Sequence, residues 1–129
     1  MNSSQDPFKH QHYDLIKLDE DYIEKIFRDI ESVLQTKKTP ALAKILRSLA
    51  DVTRLKIVAL AKSRGKLYEF EVVGAFKLAQ PTASYHLRML FESGVLIKKR
   101  EGKMIAYMPS NNAAWKLAEM VLRVANNIL

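Results

Sequence analysis

Apolar residues recur along this chain at two spacings, and the switches between them mark out its elements. From Asp19 to Gln35 they fall at Tyr22, Ile23, Ile26, Phe27, Ile30, Val33 and Leu34, a helical spacing with one broad apolar face. Asp19, Glu20 and Asp21 crowd the first turn of this helix, where negative charge complements the helix dipole. Thr36–Thr39 interrupts the pattern. Thr39 reads as the cap of a second helix with Pro40 at its first position, running through Leu42, Ile45, Leu46 and Leu49. Asp51 reads as the cap of a third, through Leu55, Ile57, Val58 and Leu60 to Ser63–Gly65. A short strand over Lys66–Tyr68 and a short helix over Glu69–Phe76 follow. Another helix opens at Gln80-Pro81 and closes at Ser93-Gly94. The stretches VLIKKR and KMIAYM are β-rich and separated by Glu101-Gly102, which predicts a tight hairpin with glycine supplying a positive φ. From Asn111 to Leu129 the helical spacing returns. One apolar line runs through Trp115, Ala118, Leu122, Ala125 and Leu129, and a second through Leu117, Val121, Val124 and Ile128. Residues 1–18 read as a polar tail ahead of a single domain over 19–129.

Charge sharpens this picture. The net charge is +7, but residues 1–35 hold 4 Lys/Arg against 8 Asp/Glu, so the basic excess lies in the remainder. A basic body suits a polyanionic partner such as nucleic acid. The chain has no cysteine, which excludes disulfides, thiolate metal sites and thiol redox chemistry. No apolar run reaches the ~20 residues of a membrane helix, and the N-terminus carries no apolar signal core, so a cytoplasmic protein is expected. The four glycines form no phosphate-cradling loop, there is no cysteine nucleophile, and no paired carboxylates occur in the basic body. An enzyme is not expected.

The informative constellation is a short helix, a turn, a second helix and then a basic hairpin. In such a helix-turn-helix the second helix lies against DNA, and its early residues meet base edges in the major groove. Here that helix offers Gln80, Thr82, Ser84, Tyr85, His86 and Arg88 as hydrogen-bonding side chains. Gln pairs with adenine, Arg with guanine, and hydroxyls with bases or phosphates. Leu87, Leu90 and Phe91 are left to hold the helix to the core. Lys98, Lys99, Arg100 and Lys103 on the hairpin supply sequence-independent phosphate contacts, with Lys98 and Lys99 expected on opposite faces of their strand. The expected fold is mainly α with a small β-wing: five or six helices, a two- or three-stranded ribbon, a winged helix-turn-helix.

LADVTRLKIVALA, followed by LAQPTASYHLRMLFESGVLIKKREGKMIAYMPS, resembles the ArsR-type winged-helix regulators of bacteria and archaea. The resemblance covers about residues 42–110 and rests on three features. These are an L-A-D-x-T-R-L helix start, a Q-P-T-x-S-x-H-L recognition helix and an E-G hairpin tip. It implies a homodimer on double-stranded DNA whose first and last helices pack across the two-fold, which places Tyr22, Ile26, Phe27, Ile30, Trp115, Ala118, Val121, Leu122 and Ala125 at the interface. It also implies a repressor that leaves its operator when an effector binds. The positions where metal-sensing relatives carry a Cys-x-Cys pair are Tyr68 and Phe70 here, and the last helix offers only Glu119 as a ligand-type side chain. Both familiar metal sites are therefore missing from the sequence, and no cofactor is expected.

His10 and His12 form an H-x-H in the tail, with Asp6 and Asp14 nearby, and in an extended segment both rings can reach one metal ion; a plain polar tail is the simpler reading. Tyr68, Phe70 and Phe76 can line an apolar pocket for an organic effector or serve as core. The rivals to a regulator are a sequence-indifferent architectural DNA protein, which needs only the basic charge, and a winged helix used to dock another protein.

Overall fold

A computed structural model describes residues 18–128. The chain divides into two compact units between Thr39 and Pro40. The first contains helix α1, Glu20–Glu31. Asp19 stands just outside it as the N-cap, its Oδ1 accepting the Tyr22 N–H at 2.8 Å. The helix ends at Ser32, and a 3-10 turn over Thr36–Lys38 follows Gln35. Thr39 is not a cap: it already has helical angles, and helix α2, Thr39–Leu49, grows directly out of that turn. The turn supplies the entry geometry that Pro40 and a capping threonine were expected to provide.

From Pro40 onward the elements are the rest of α2, α3 (Val52–Arg64), β1 (Leu67–Tyr68), α4 (Glu69–Phe76), α5 (Gln80–Glu92), β2 (Leu96–Glu101), β3 (Met104–Pro109) and α6 (Ala113–Ala125). Asp51 caps α3 as expected, accepting the Arg54 N–H at 2.9 Å. Gly65 ends it with φ 78°, a left-handed conformation that costs glycine little. The strands form one antiparallel sheet in the order β1-β3-β2. Leu67 pairs with Tyr107 and Tyr68 with Ala106, while β2 and β3 pair from Leu96–Pro109 to Glu101–Met104. The hairpin turn is thus Gly102-Lys103, one residue later than Glu101-Gly102. Gly102 has φ 61°, and Glu101 is a strand residue.

The core of this unit draws on every element but the exposed tip of the hairpin. Ile57, Val58 and Ala61 of α3 meet Leu67 of β1, Val72 of α4, Ala83, Leu87 and Leu90 of α5, and Leu96 of β2. Trp115 and Ala118 of α6 close it, at 4% and 0% exposure. Against the sequence expectation of a dimer interface for Trp115 and Ala118, both belong to the core of their own protomer. Trp115 in particular buries one of the largest apolar surfaces available to a side chain. Val121 and Leu122 are partly buried against the same core, and Ala125 is exposed.

Candidate nucleic-acid interface

Helix α5 sits where its sequence period places it. Ala83, Leu87 and Leu90, three and four residues apart, are fully buried and fasten one face to the core. α4 packs against α5, and the two are joined by a tight turn in which Lys77 adopts the left-handed conformation at φ 53°. α4 begins with Glu71 Oε1 accepting the Tyr68 N–H at 2.9 Å. The opposite face of α5 is open. Gln80, Thr82, Tyr85 and Arg88 are exposed, and Ser84 is half-buried beside them. No side chain caps the start of α5, and its first turn carries no acidic residue. Its positive dipole end is therefore left available to an anion.

The open side chains already make light contacts among themselves. The Arg88 guanidinium lies 5.6 Å from the Tyr85 ring centroid and 3.9 Å from Glu92. The Gln80 amide donates to Glu69 at 3.2 Å, linking the starts of α5 and α4. His86 departs from its expected place. Its side chain turns inward, its Nδ1 3.0 Å from Arg54 Nη1 and 3.8 Å from Asp51 Oδ2. It does not share the open face with Tyr85 and Arg88. Position 86 lies on the flank of the buried stripe, three residues after Ala83 and four before Leu90, and the charged partner on α3 draws it in.

On the wing, Lys98, Lys99, Arg100 and Lys103 are all exposed. Strand alternation divides them: Lys98 and Arg100 share one face of β2, and Lys99 shares the other with Glu101. The Lys98 ammonium sits 4.4 Å above the Phe91 ring, tying the wing to the end of α5. The Arg100 Nε donates to the Gly102 carbonyl at 3.1 Å, and Lys103 occupies the turn itself.

Several structuring groups had no sequence signal. Glu101 accepts from Lys66 Nζ at 3.0 and 3.1 Å and from the Tyr68 hydroxyl at 2.8 Å, which anchors the wing to β1. These bonds, that from Lys66 first, hold the Glu101 carboxyl below its ordinary range; the Glu101 partner in turn raises Lys66. Arg54 is buried, and Asp51 is held below the usual carboxylate range, chiefly by the Arg54 backbone N–H and opposed by burial. Arg54 and His86 are 32 positions apart, so no local pattern pairs them.

Tyr68 and Phe70 stack at 5.8 Å and border a cleft of about 260 Å³ that Glu69, Lys103, Met104, Ile105 and Tyr107 complete. Phe76 is packed against the core instead. A phenol already bonded to Glu101 and a phenyl ring offer no soft donor, so the residues at these two positions do not fit a thiophilic metal. Among the described residues no three His, Cys, Asp or Glu side chains gather at one point. His10 and His12 lie outside the described residues. No helix among the described residues is long and apolar enough to cross a membrane.

Comparison with known proteins fits this arrangement. A model of the family described as "Bacterial regulatory protein, arsR family" matches residues 51–98, from the α3 cap to the middle of β2. The arsenic resistance transcriptional regulator ArsR2 of Pseudomonas putida is 32% identical over 98 residues, covering 64% of this chain and 84% of that protein. The chain belongs to the ArsR family of transcriptional regulators. The arsenical resistance operon repressor of Escherichia coli K12 is 39% identical over 72 residues, 55% of this ArsR-family chain and 62% of the repressor. The chain thus spans somewhat less than two thirds of that relative, and 64% and 49% of two others. Among solved structures, the homodimeric winged helix-turn-helix DNA-binding domain Mb0332 of Mycobacterium bovis matches with a TM-score of 0.66 and 25% identity, over 75% of this chain and 89% of that one. As an ArsR-family member the chain falls among regulators, not enzymes.

Proposed function

We propose that this ArsR-family chain is a sequence-specific DNA-binding repressor that acts as a homodimer. One observation carries the reading: α5 turns Thr82, Tyr85 and Arg88 outward on one open face, immediately before a hairpin rimmed with exposed lysine and arginine. The open face supplies base-edge chemistry and the hairpin supplies charge for phosphates, a division of labour that direct readout requires. His86 is left out of the groove set in this reading because its side chain faces Arg54. Repression is supported by the similarity to the arsenical resistance operon repressor of Escherichia coli.

The dimer is supported by what each unit leaves uncovered and by the homodimeric Mycobacterium bovis relative. On α1, Tyr22, Ile23, Ile26, Phe27 and Ile30 are all at least 39% exposed, a row that a soluble monomer rarely shows to water. On α6, Met120 and Val124 are exposed beyond the residues that enter the core, as is Ile128 just past its end. The interface residues of this reading are Tyr22, Ile26, Phe27, Ile30, Val121, Leu122 and Ala125. Two recognition helices related by a two-fold match half-sites about one helical turn apart. Enrichment of duplexes from a random library tests the reading. A palindromic motif with that spacing is expected, whereas recovery of unbiased sequences would favour an architectural role and no recovery at low salt would favour protein docking.

A further inference from the structure

Arg54 is the only buried charged side chain among the described residues. From α3, its guanidinium reaches two other helices. Nε donates to the Ser48 carbonyl at 2.7 Å and Nη2 to the Arg47 carbonyl at 3.4 Å, closing two carbonyls at the end of α2. Nη1 faces His86 Nδ1 on α5 at 3.0 Å. Arginine has donors and no acceptor, so in this bond Nδ1 is the acceptor. Two other groups face His86: the Asp51 carboxylate at 3.8 Å and the Tyr85 ring, edge-on at 5.8 Å.

The buried face of α5 consists of Ala83, Leu87 and Leu90, whose contacts are apolar and without direction. Such a face fixes how deep the helix lies more firmly than how it is turned about its axis. The Arg54–His86 bond is directional, and the planar fork that makes it is held at its other edge by α2. A buried guanidinium is also an expensive way to gain stability, since an apolar side chain of similar volume avoids its desolvation. What the bond adds over an apolar contact is orientation.

We propose that Arg54 is a positioning residue for base reading: acting through His86, it fixes the rotation of α5, and with it the direction of Thr82, Tyr85 and Arg88. The proposal rests on α5 being the groove helix. A residue that only stabilised the fold would change affinity for all duplexes alike, through the folded fraction. A residue that fixes rotation changes the preference between sequences.

The test uses the full chain and its variants His86→Leu, His86→Asn and Arg54→Lys, each checked for folding by circular dichroism. Affinity is measured for a duplex enriched by the wild type and for its scrambled counterpart, at one salt concentration. His86→Leu should lower the ratio of the two affinities by on the order of tenfold, the size of one charge-assisted hydrogen bond, with scrambled binding unchanged. His86→Asn, whose carboxamide oxygen can replace Nδ1 as acceptor, should keep most of the ratio. Nitrogen-15 spectra of the free wild type should show His86 as the Nε2–H tautomer, and in Arg54→Lys as a mixture. An unchanged ratio in His86→Leu, an equal loss on both duplexes, or an Nδ1–H tautomer in the wild type would each overturn the proposal. If the wild type itself enriches nothing, the groove reading fails, and the positioning role falls with it whatever the tautomer.

Discussion

Replacing Arg88 with alanine separates reading from folding. The Arg88 side chain is 59% exposed, and its contacts are the Tyr85 ring and the Glu92 carboxylate 3.9 Å away. An exposed pair of this kind contributes a few tenths of a kcal/mol, and an exposed cation–π contact about 0.5–1 kcal/mol. Arg88 contributes nothing to the core formed by Ala83, Leu87 and Leu90 on the opposite face. Urea denaturation should therefore show Arg88→Ala within about 1 kcal/mol of wild type. Binding to an enriched duplex should weaken by about 1–3 kcal/mol, the size of a lost bidentate base contact, while binding to scrambled DNA changes little. Fluorescence anisotropy on both duplexes reads this directly. A destabilisation well above 1 kcal/mol, or equal losses on the two duplexes, would refute the assignment of this face to base reading.

Arg100→Ala and Lys103→Ala on the wing should each weaken binding to all duplexes and flatten the salt slope by about one, measured across a salt series. Trp115→Ala should cost about 3–5 kcal/mol of stability in urea denaturation because Trp115 is core, and a variant that changed only dimer dissociation would return it to the interface. Asp51→Ala should cost about 1 kcal/mol as a lost helix cap, and Asp51→Asn less, since its side-chain oxygen can still accept from Arg54. The Glu101–Lys66 tie should be pH-limited at both ends. Glu101 has a lowered folded pKa, so its contribution is lost as pH falls through and below the carboxylate range. Lys66 has a raised one, so its contribution is lost as pH climbs past the ordinary lysine range. Amide exchange in β1 and β3, followed against pH, should accelerate outside that window and hold steady within it.

Much of the fold was legible because its signals are local. Asp51 at the start of α3, the Glu69–Phe76 helix, the opening of α5 at Gln80-Pro81 and the positive φ of Gly102 each depend on a few neighbouring residues. The family resemblance, carried by the stretch from the third helix to the hairpin, holds on comparison with known relatives. Thr39 misled because a proline one residue later looks the same whether a cap or a 3-10 turn precedes it. Trp115 and Ala118 misled for a different reason. Periodicity shows that α6 has two apolar lines, but a protomer's own core and a partner's surface ask for the same side chains. His86 was grouped with Tyr85 and Arg88 because all three can hydrogen-bond. Only the buried Arg54, far away in sequence, reveals which way the imidazole faces.

In the function proposed, the open face of α5 reads base sequence while the wing holds the backbone. The most direct test of this is the affinity of the wild-type chain for DNA from its own upstream region and for a scrambled duplex, measured by fluorescence anisotropy across a salt series. A preference of about 10³-fold or more for the upstream DNA is expected, with scrambled DNA showing mainly the salt-dependent attraction. Equal affinities with equal salt slopes, for this duplex and for any enriched from a random library, would contradict it.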